Sequence, residues 1–338
     1  MRISTLRERV RSELLDFAWG QWSQLGLGGA VTRIDRWAVD PEALLLLTLE
    51  VGRRDPRLFD ELLDWLALNG DLLILQRLRN LARRYPGDRS VLEASLAWAS
   101  SQNPALRWNA TPARTGGPTS EATLFDPELV GYVREPDPVF GRFGYLRPRA
   151  ERSLKSVRPD PREPIAFAFK LRLLFGLGSR SEVLRILLTL EEARLDAARI
   201  AEEAGFAKRN INETLSALAD SGAVQARWSR NQRVFSVFRG KWANLLEIGP
   251  GAEHLPATLA WVPLLRVLTS LYVWFEHHAD PGWSEYLAAS EARSLVDGLT
   301  RDLGEAGISS PESRNFHGSA YWEAFEQLVD DSLGLIGR

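Results

Sequence analysis

Few side chains in this sequence could bind a metal ion or transfer a proton. The histidines are His254, His277, His278 and His317. Two of them fall in the run 276–280, which also supplies two carboxylates, Glu276 and Asp280. Neighbouring positions on a helix point about 100° apart, so these side chains do not converge on one ion. We interpret the run as a solvated helix end, and we predict neither a metal nor another cofactor.

Covalent chemistry and nucleotide binding also lack a convincing motif. The chain has no cysteine, which excludes disulfides, thiolate metal sites and thiol nucleophiles. No Ser-His-Asp order stands out with the strand-to-helix context that a nucleophile elbow needs. The glycines at 26–29 are not clearly preceded by a strand, and neither a P-loop nor a dinucleotide-binding pattern follows them. We predict a turn there, and we predict that the protein is not an enzyme.

Cationic and amide side chains offer the remaining chemistry. The sequence has a net charge of −2, but the charge is unevenly distributed. Residues 134–249 carry 21 basic and 14 acidic side chains, whereas residues 250–338 carry 5 and 13. Within 205–241, seven basic side chains stand against two acidic ones. A basic middle beside an acidic end indicates that one region contacts a polyanion.

The basic region contains the pattern of two short helices joined by a glycine turn. Asp196 can cap a helix over 197–204, and Gly205 ends it. A second helix is predicted over 208–221, ending before a glycine, and its buried face is marked by Ile211, Leu215 and Leu218. Before this pair, Ser179 and Glu182 have the spacing of a capping box that would start another helix. After it, an extended run over 224–228, a polar turn over 229–232 and a second run over 233–238 predict a β-hairpin.

These residues resemble a known family. The run 197–224, AARIAEEAGFAKRNINETLSALADSGAV, and the run 174–188, LFGLGSRSEVLRILL, are similar to the DNA-binding part of bacterial winged helix-turn-helix regulators of the MarR and ArsR kind. The resemblance covers about residues 174–240, a fifth of the chain. One departure is that Ala207 stands where the family usually has Ser or Thr at the start of the third helix. The resemblance implies a winged helix-turn-helix with a two-stranded wing, which binds double-stranded DNA.

In this family the third helix enters the major groove of DNA. If Ile211 points inward, helical geometry places a polar set on or beside the opposite face of that helix. These candidate DNA-binding residues are Arg209, Asn210, Asn212, Glu213 and Ser216. Arginine can bind guanine through O6 and N7, and asparagine can bind adenine through N6 and N7. Lys208, near the helix start, is expected to contact a phosphate.

The hairpin supplies the remaining candidate DNA-binding residues. In the family the wing lies along the DNA backbone or in the minor groove, where arginine is favoured. The candidates on or beside the hairpin are Arg227, Arg230, Asn231 and Arg233.

The fold class that the sequence predicts is mainly α, in four consecutive parts. They are a helical N-terminal domain (1–109), a linker region with short elements (110–163), the winged helix-turn-helix (164–248) and an acidic, Trp-rich helical domain (249–338). Within the linker region, a flexible linker is expected near 110–122. The basic stretch 142–162 has two interpretations: a solvated, mobile arm, or an arm that contacts DNA phosphates.

The aromatic residues of the C-terminal part allow three interpretations. They can form a helical core, a dimer interface or an aromatic-lined effector pocket. The residues concerned are Trp261, Tyr272, Trp274, Phe275, Trp283, Tyr286, Phe316, Tyr321, Trp322 and Phe325.

Taken together, these patterns favour a cytoplasmic transcriptional regulator that binds double-stranded DNA as a homodimer, most simply as a repressor. A small-molecule effector or a protein is a possible further partner, and a membrane is not. The alternative is an adaptor whose winged helix binds a protein, such as a component of a toxin–antitoxin or defence system, without recognising DNA.

Overall fold

The computed structural model describes residues 3–28, 37–109, 122–190, 195–249, 251–278, 283–311 and 319–337. Within these ranges the chain is mainly helical, with two small β-sheets. This confirms the predicted predominance of α-helix. The linker expected near 110–122 lies almost entirely outside the described residues, as do Gly29, Asp280, His317 and Phe316.

Five helices form the N-terminal part: α1 (Ile3–Gln24), α2 (Pro41–Val51), α3 (Pro56–Asn69), α4 (Leu75–Ala82) and α5 (Arg89–Gln102). Three of them begin after an aspartate whose carboxylate accepts hydrogen bonds from amides of the first turn. These aspartates are Asp40, Asp55 and Asp88. Side chains of this type satisfy amides that have no partner inside the helix. Two of these starts are Asp-Pro pairs, Asp40-Pro41 and Asp55-Pro56, a sequence that is typical of a helix start.

Residues 122–163 hold the short elements that the sequence predicts for this region. They are β1 (Ala122–Thr123), α6 (Pro127–Val130), α7 (Pro138–Gly141) and β2 (Tyr145–Leu146), and β1 and β2 pair in parallel. After β2 the chain continues without regular structure to residue 163.

The basic stretch 142–162 packs against α3, so its interpretation as a mobile arm is wrong, whereas contact of its exposed arginines with DNA phosphates stays a prediction. Arg147 donates to Asp60 at 2.6 Å, and Arg152 donates to Asp64 at 2.8 Å. The guanidinium of Arg147 is 1% exposed and lies 5.0–5.8 Å from the centroids of three phenylalanine rings. The reason is that α3 presents acidic side chains towards this stretch, which pair with Arg147 and Arg152 within the protein.

Eight elements follow: α8 (Phe167–Phe175), α9 (Ser179–Thr189), β3 (Leu195–Asp196), α10 (Ala197–Ala204), α11 (Lys208–Asp220), β4 (Gln225–Ser229), β5 (Gln232–Ser236) and α12 (Arg239–Leu245). The predicted hairpin is confirmed as β4 and β5. The second sheet is antiparallel with strand order β3-β5-β4. Its third strand, β3, is not predicted by the sequence. It is only two residues long, and its partner strand β5 lies about 40 residues further along the chain.

The C-terminal part is helical, as predicted, and forms α13 (Trp261–His277), α14 (Glu285–Ala306) and α15 (Ser319–Ile336). Short 3₁₀ turns complete the chain at Gly52–Arg54, Gly70–Leu72, Pro104–Leu106, Pro164–Ala166 and Ala252–His254. None of the helices within the described ranges has a stretch long and apolar enough to cross a lipid bilayer.

Two hydrophobic cores organise these elements. The first combines residues of α1–α5 and of the 122–166 region with residues of α13–α15, and the second lies among α8–α12. The parts that the sequence divides at 109 and 249 thus share one core. Trp261, Phe275 and Phe325 are each at most 2% exposed within it, which supports the core interpretation of the C-terminal aromatic residues.

Candidate nucleic-acid interface

The helix pair α10–α11 begins and turns where the sequence predicts. The Asp196 carboxylate accepts hydrogen bonds from the amides of Ala198 and Arg199 at 2.9 and 2.8 Å, which starts α10. Gly205 ends α10 with a φ of 64°, in the left-handed region that glycine adopts without steric cost. A Cβ atom at this position would lie 3.0 Å from the Leu81 side chain on α4. The turn between the helices therefore packs directly on the N-terminal part of the protein.

The inward face of α11 is apolar and buried, whereas its outward face is polar and exposed. Ile211, Leu215 and Leu218 belong to the second core, as predicted. On the outward side the structure exposes five of the six predicted residues and half-buries Ser216. The exposed residues are Lys208, Arg209, Asn210, Asn212 and Glu213.

The outward face has little internal pairing to hold its side chains. Arg209 donates through Nε to Glu213 at 3.0 Å, one helical turn away. This pair is largely exposed, and pairs of this kind contribute only about 0.3–0.5 kcal/mol. Within the described residues, the side chains of the other outward residues make no hydrogen bond or ion pair; these are Lys208, Asn210, Asn212 and Ser216. Their hydrogen-bonding groups are therefore available to a partner.

The β4–β5 hairpin presents arginines on both of its faces. Its two-residue turn is Arg230-Asn231, with Arg230 in the left-handed region at a φ of 55°. Arg227 pairs across the ladder with Val234, and Trp228 pairs with Arg233. Because neighbouring residues of a strand point to opposite faces, Arg227 and Arg233 extend from different sides. All four predicted hairpin residues are exposed, and so is Trp228, at 76%.

A buried guanidinium fixes the helix pair to the N-terminal helices. Arg77 on α4 is fully buried and donates to the carbonyl oxygens of Glu203 and Ala204 at 3.0 and 2.9 Å. These are the last carbonyls of α10, which have no partner inside the helix and carry the negative end of its dipole. Arg77 also donates to Asp40 and to Glu42 on α2. One side chain therefore joins α2, α4 and α10.

This contact belongs to a network of three arginines and three carboxylates, each at most 2% exposed: Arg77, Arg172, Arg185, Asp40, Glu42 and Glu182. Arg172 on α8 contacts Glu42 and Glu182 at 2.7 Å each, and Arg185 on α9 contacts Asp40 at 3.1 Å. The network therefore connects α2 and α4 to α8, α9 and α10. Because buried charges must keep their partners, it fixes α10, on which α11 packs, to α2 and α4.

Asp40 and Glu182 of this network stay ionised. Burial alone would raise the pKa of Asp40, but the charges of Arg77 and Arg185 outweigh burial and lower the pKa. Burial would also raise the pKa of Glu182, and the charges of Arg172, Arg185 and Arg77 lower it well below the ordinary glutamate value. The positive charges of the arginines and the negative charges of these carboxylates therefore offset each other where α2 and α4 pack against α8, α9 and α10.

The predicted capping box at Ser179 and Glu182 is wrong. Helix α9 begins at Ser179 after Gly178, and no side chain caps it. The Ser179 hydroxyl instead bonds to the Thr214 hydroxyl on α11 at 2.7 Å. Glu182 points inward to Arg172 and Arg185, because a carboxylate buried beside two guanidinium groups gains more from them than from a helix amide.

The histidine run lies at the end of α13, where its rings bind backbone. The Nδ1 atoms of His277 and His278 each lie 2.8 Å from a carbonyl oxygen one turn earlier, at Val273 and Trp274. The His278 ring packs between Trp274 and Trp283, with centroid distances of 5.0 and 4.7 Å. Across the described ranges, no three potential ligands among His, Cys, Asp and Glu come together around a point.

Sequence reasoning missed the residues that position the helix pair. Arg77 and Arg185 are charged residues within otherwise apolar helix faces, beside Leu78 and between Leu184 and Ile186. Charged side chains are almost never fully buried unless they are paired. An arginine at an inward helical position was thus an available signal of a buried ion pair, although nothing in the sequence identifies its partner.

Comparisons with protein-family models, with characterised proteins and with solved structures give no significant match.

Proposed function

We propose that α9–α11 and the β3–β5 sheet form a winged helix-turn-helix, and that the protein regulates transcription by binding a specific sequence of double-stranded DNA. In this proposal α11 enters the major groove and the β4–β5 hairpin contacts the backbone or the minor groove. One observation carries the proposal: α11 is buried on one side and exposes polar side chains on the other, of which only Arg209 and Glu213 are paired within the described residues. The buried network at its base supports it, because a fixed helix can present these side chains without first being ordered.

The Arg209–Glu213 ion pair is too weak to prevent Arg209 from binding a base. Releasing Arg209 from Glu213 costs about 0.3–0.5 kcal/mol, whereas a bidentate arginine–guanine contact contributes about 1–3 kcal/mol of discrimination. Asn210 and Asn212 have no partner to release within the described residues. Lys208 at the first turn and the hairpin arginines Arg227, Arg230 and Arg233 would bind phosphates or the minor groove.

A homodimer would match two-fold symmetric operator DNA. The aromatic residues of α13 are not available for this, since Trp274 is 7% exposed within its own core. Three exposed leucines at the α8–α9 junction offer an alternative surface: Leu173, Leu174 and Leu177. We propose that this leucine patch forms the dimer contact of a repressor. Light scattering tests it: Leu174→Ser should yield a monomer, and a dimer of unchanged stability would exclude the patch.

The adaptor hypothesis remains as the second candidate because of Trp228. An exposed tryptophan on a hairpin is a common centre of protein–protein binding. In an adaptor, Trp228→Ala would abolish binding of the partner, and the α11 face would contribute nothing to it. In a DNA-binding regulator, Trp228→Ala would leave sequence preference unchanged.

The direct test is fluorescence anisotropy with duplexes from the region upstream of the protein's own gene. For each phosphate neutralised, log K should fall by about 0.9 per unit of log salt concentration. Combined Arg209→Ala and Asn210→Ala should reduce the preference for the bound sequence over random duplex. Arg142→Ala, an exposed arginine outside the interface, is the matched control and should bind as the original chain does. No binding at low salt would overturn the proposal.

A further inference from the structure

A cleft with several cationic side chains opens beside the first turn of α11. Its volume is about 540 Å³, which is in the range of small-molecule sites. It is bounded by the end of α4, by α10 and the turn to α11, and by α13 and α14. Its lining contains five cationic side chains, Arg83, Arg84, Lys208, Arg266 and Arg301, and one carboxylate, Glu202.

Three of these arginines converge on Glu202 from three different elements. Arg84 donates to it at 2.5 Å, Arg301 at 3.2 Å and Arg266 at 3.5 Å. Burial alone would raise the pKa of Glu202, but the hydrogen bond from Arg84 and the arginine charges lower it, so Glu202 is ionised. Outside the lining, Asp302 pairs with Arg266 and Glu305 pairs with Arg301. The pairing is incomplete, because the cations outnumber these carboxylates.

Unused donors remain around the cleft. Within the described residues, Arg83 and Lys208 have no ion-pair or hydrogen-bond partner, and the buried Nε of Arg266 has none either. The start of α11 adds backbone amides, because its N-cap residue is Ala207 and no side chain caps it. A helix start without a cap beside several guanidinium groups provides the donors that a phosphate group binds.

We propose that this cleft is a binding site for a small molecule that carries a phosphate or diphosphate group. The anion takes the place of the Glu202 carboxylate on the exposed arginines, Arg84 and Arg301, and contacts Lys208 at the start of α11. Binding of this molecule does not depend on whether the protein binds DNA. The further step, in which the bound molecule acts as an effector that changes the position of α11 relative to DNA, rests on the function proposed above.

The depth of the cleft favours a small molecule over the DNA backbone. Its floor is formed by Glu202 and Arg266, whose side chains are each 9% exposed. Phosphates of a duplex are attached to a wide, stiff double helix, so we expect them to contact exposed side chains at the rim, such as Arg83 and Lys208, rather than this floor. A compact anion can reach both the rim and the floor.

Titration calorimetry of the full chain with inorganic pyrophosphate, at constant ionic strength and without DNA, tests the site. Arg84→Gln combined with Arg301→Gln should weaken binding at least tenfold; both side chains are more than half exposed, so the fold should tolerate the change. Arg158→Gln, which breaks an exposed arginine–carboxylate pair elsewhere, should bind as the original chain does. Glu202→Gln should bind more tightly, because it removes the competing carboxylate.

Three results would overturn the proposal: no pyrophosphate binding, equal weakening by Arg158→Gln and by the double variant, or unchanged affinity in Glu202→Gln. If the double variant weakened only DNA binding, the cleft would belong to the DNA interface, and the proposal would also fail. If pyrophosphate bound as expected while no duplex did, the site would be supported and the proposed function would be overturned.

Discussion

Replacing Arg77 by methionine tests how the helix pair is held. Methionine retains much of the volume and removes the charge, so the change acts on the ionic contacts more than on packing. In the original chain Arg77 is fully buried and donates to Asp40, to Glu42 and to two carbonyls of α10. The variant leaves Asp40 and Glu42 with one guanidinium each, from Arg185 and Arg172.

The cost follows from the imbalance of buried charge. Three arginines balance three carboxylates in the network, and the variant leaves one negative charge uncompensated. Removing one partner of a buried pair typically costs about 3–5 kcal/mol, a large part of the total stability of about 5–15 kcal/mol that a folded protein has. The exposed pair of Arg158 with Asp71 provides the comparison, since Arg158→Met should cost about 1 kcal/mol or less.

Urea unfolding followed by tryptophan fluorescence measures both variants. Adding Asp40→Asn to Arg77→Met should recover part of the loss, because it removes the uncompensated charge while the asparagine side chain can still cap α2. The reasoning would be refuted if Arg77→Met cost no more than Arg158→Met, or if the second substitution added its full cost to the first.

Three further predictions follow from individual residues. First, the stability advantage of the original chain over Glu182→Gln should shrink as the pH falls below about 4. The reason is that Glu182 has a lowered pKa in the folded state, so the unfolded chain takes up protons first; an advantage that grew in acid would contradict this, and urea unfolding at several pH values measures it. Second, Ala207→Ser should stabilise the protein by about 1 kcal/mol, because residue 207 has extended backbone and no capping side chain at the start of α11; unfolding of the two chains in urea decides. Third, Gly205→Ala should cost more than Gly222→Ala in thermal unfolding. Both glycines have a positive φ, which costs about 1–2 kcal/mol for alanine, but only at Gly205 would the new Cβ meet other residues, at 3.0 Å; equal losses would show that the turn does not pack on α4.

Local signals in the sequence predict the helix starts well. An aspartate before a proline or before an apolar helix acts within three residues, so Asp196 caps α10 as predicted, and Asp40 and Asp55 cap their helices in the same way. The positions of Gly205 and Ile211 likewise predict the turn and the buried face of α11. Each of these features depends on the geometry of one or two helical turns, which a short stretch of sequence determines.

Features that depend on distant partners were not predictable in the same way. Glu182 has the spacing of a capping residue, but Arg172 and Glu42 across the core determine where it points. The basic stretch 142–162 has the composition of a free arm, and only the tertiary structure shows that Arg147 and Arg152 pair with acidic side chains of α3. Sequence patterns also could not show that helices at the two ends of the chain share one core, since the helices of each end carry enough apolar residues to form a core of their own.

The cleft beside α11 also could not be predicted from the sequence. Arg84, Glu202 and Arg301 come from three elements separated by about a hundred residues each, and each has an ordinary local context on a helix or at its end. Their convergence is a property of tertiary packing alone. The candidate residues of α11 were predictable because they share one helix face.

The most direct test of the DNA-binding account is methylation interference at guanine N7 in the major groove. Duplexes selected by the protein from a randomised pool would be methylated before binding. The account predicts that methylation of specific guanines blocks binding by the original chain, and that Arg209→Ala loses this block at one guanine of each half-site. Failure to select any duplex, or an interference pattern that Arg209→Ala leaves unchanged, would contradict the claim that the exposed face of α11 recognises bases.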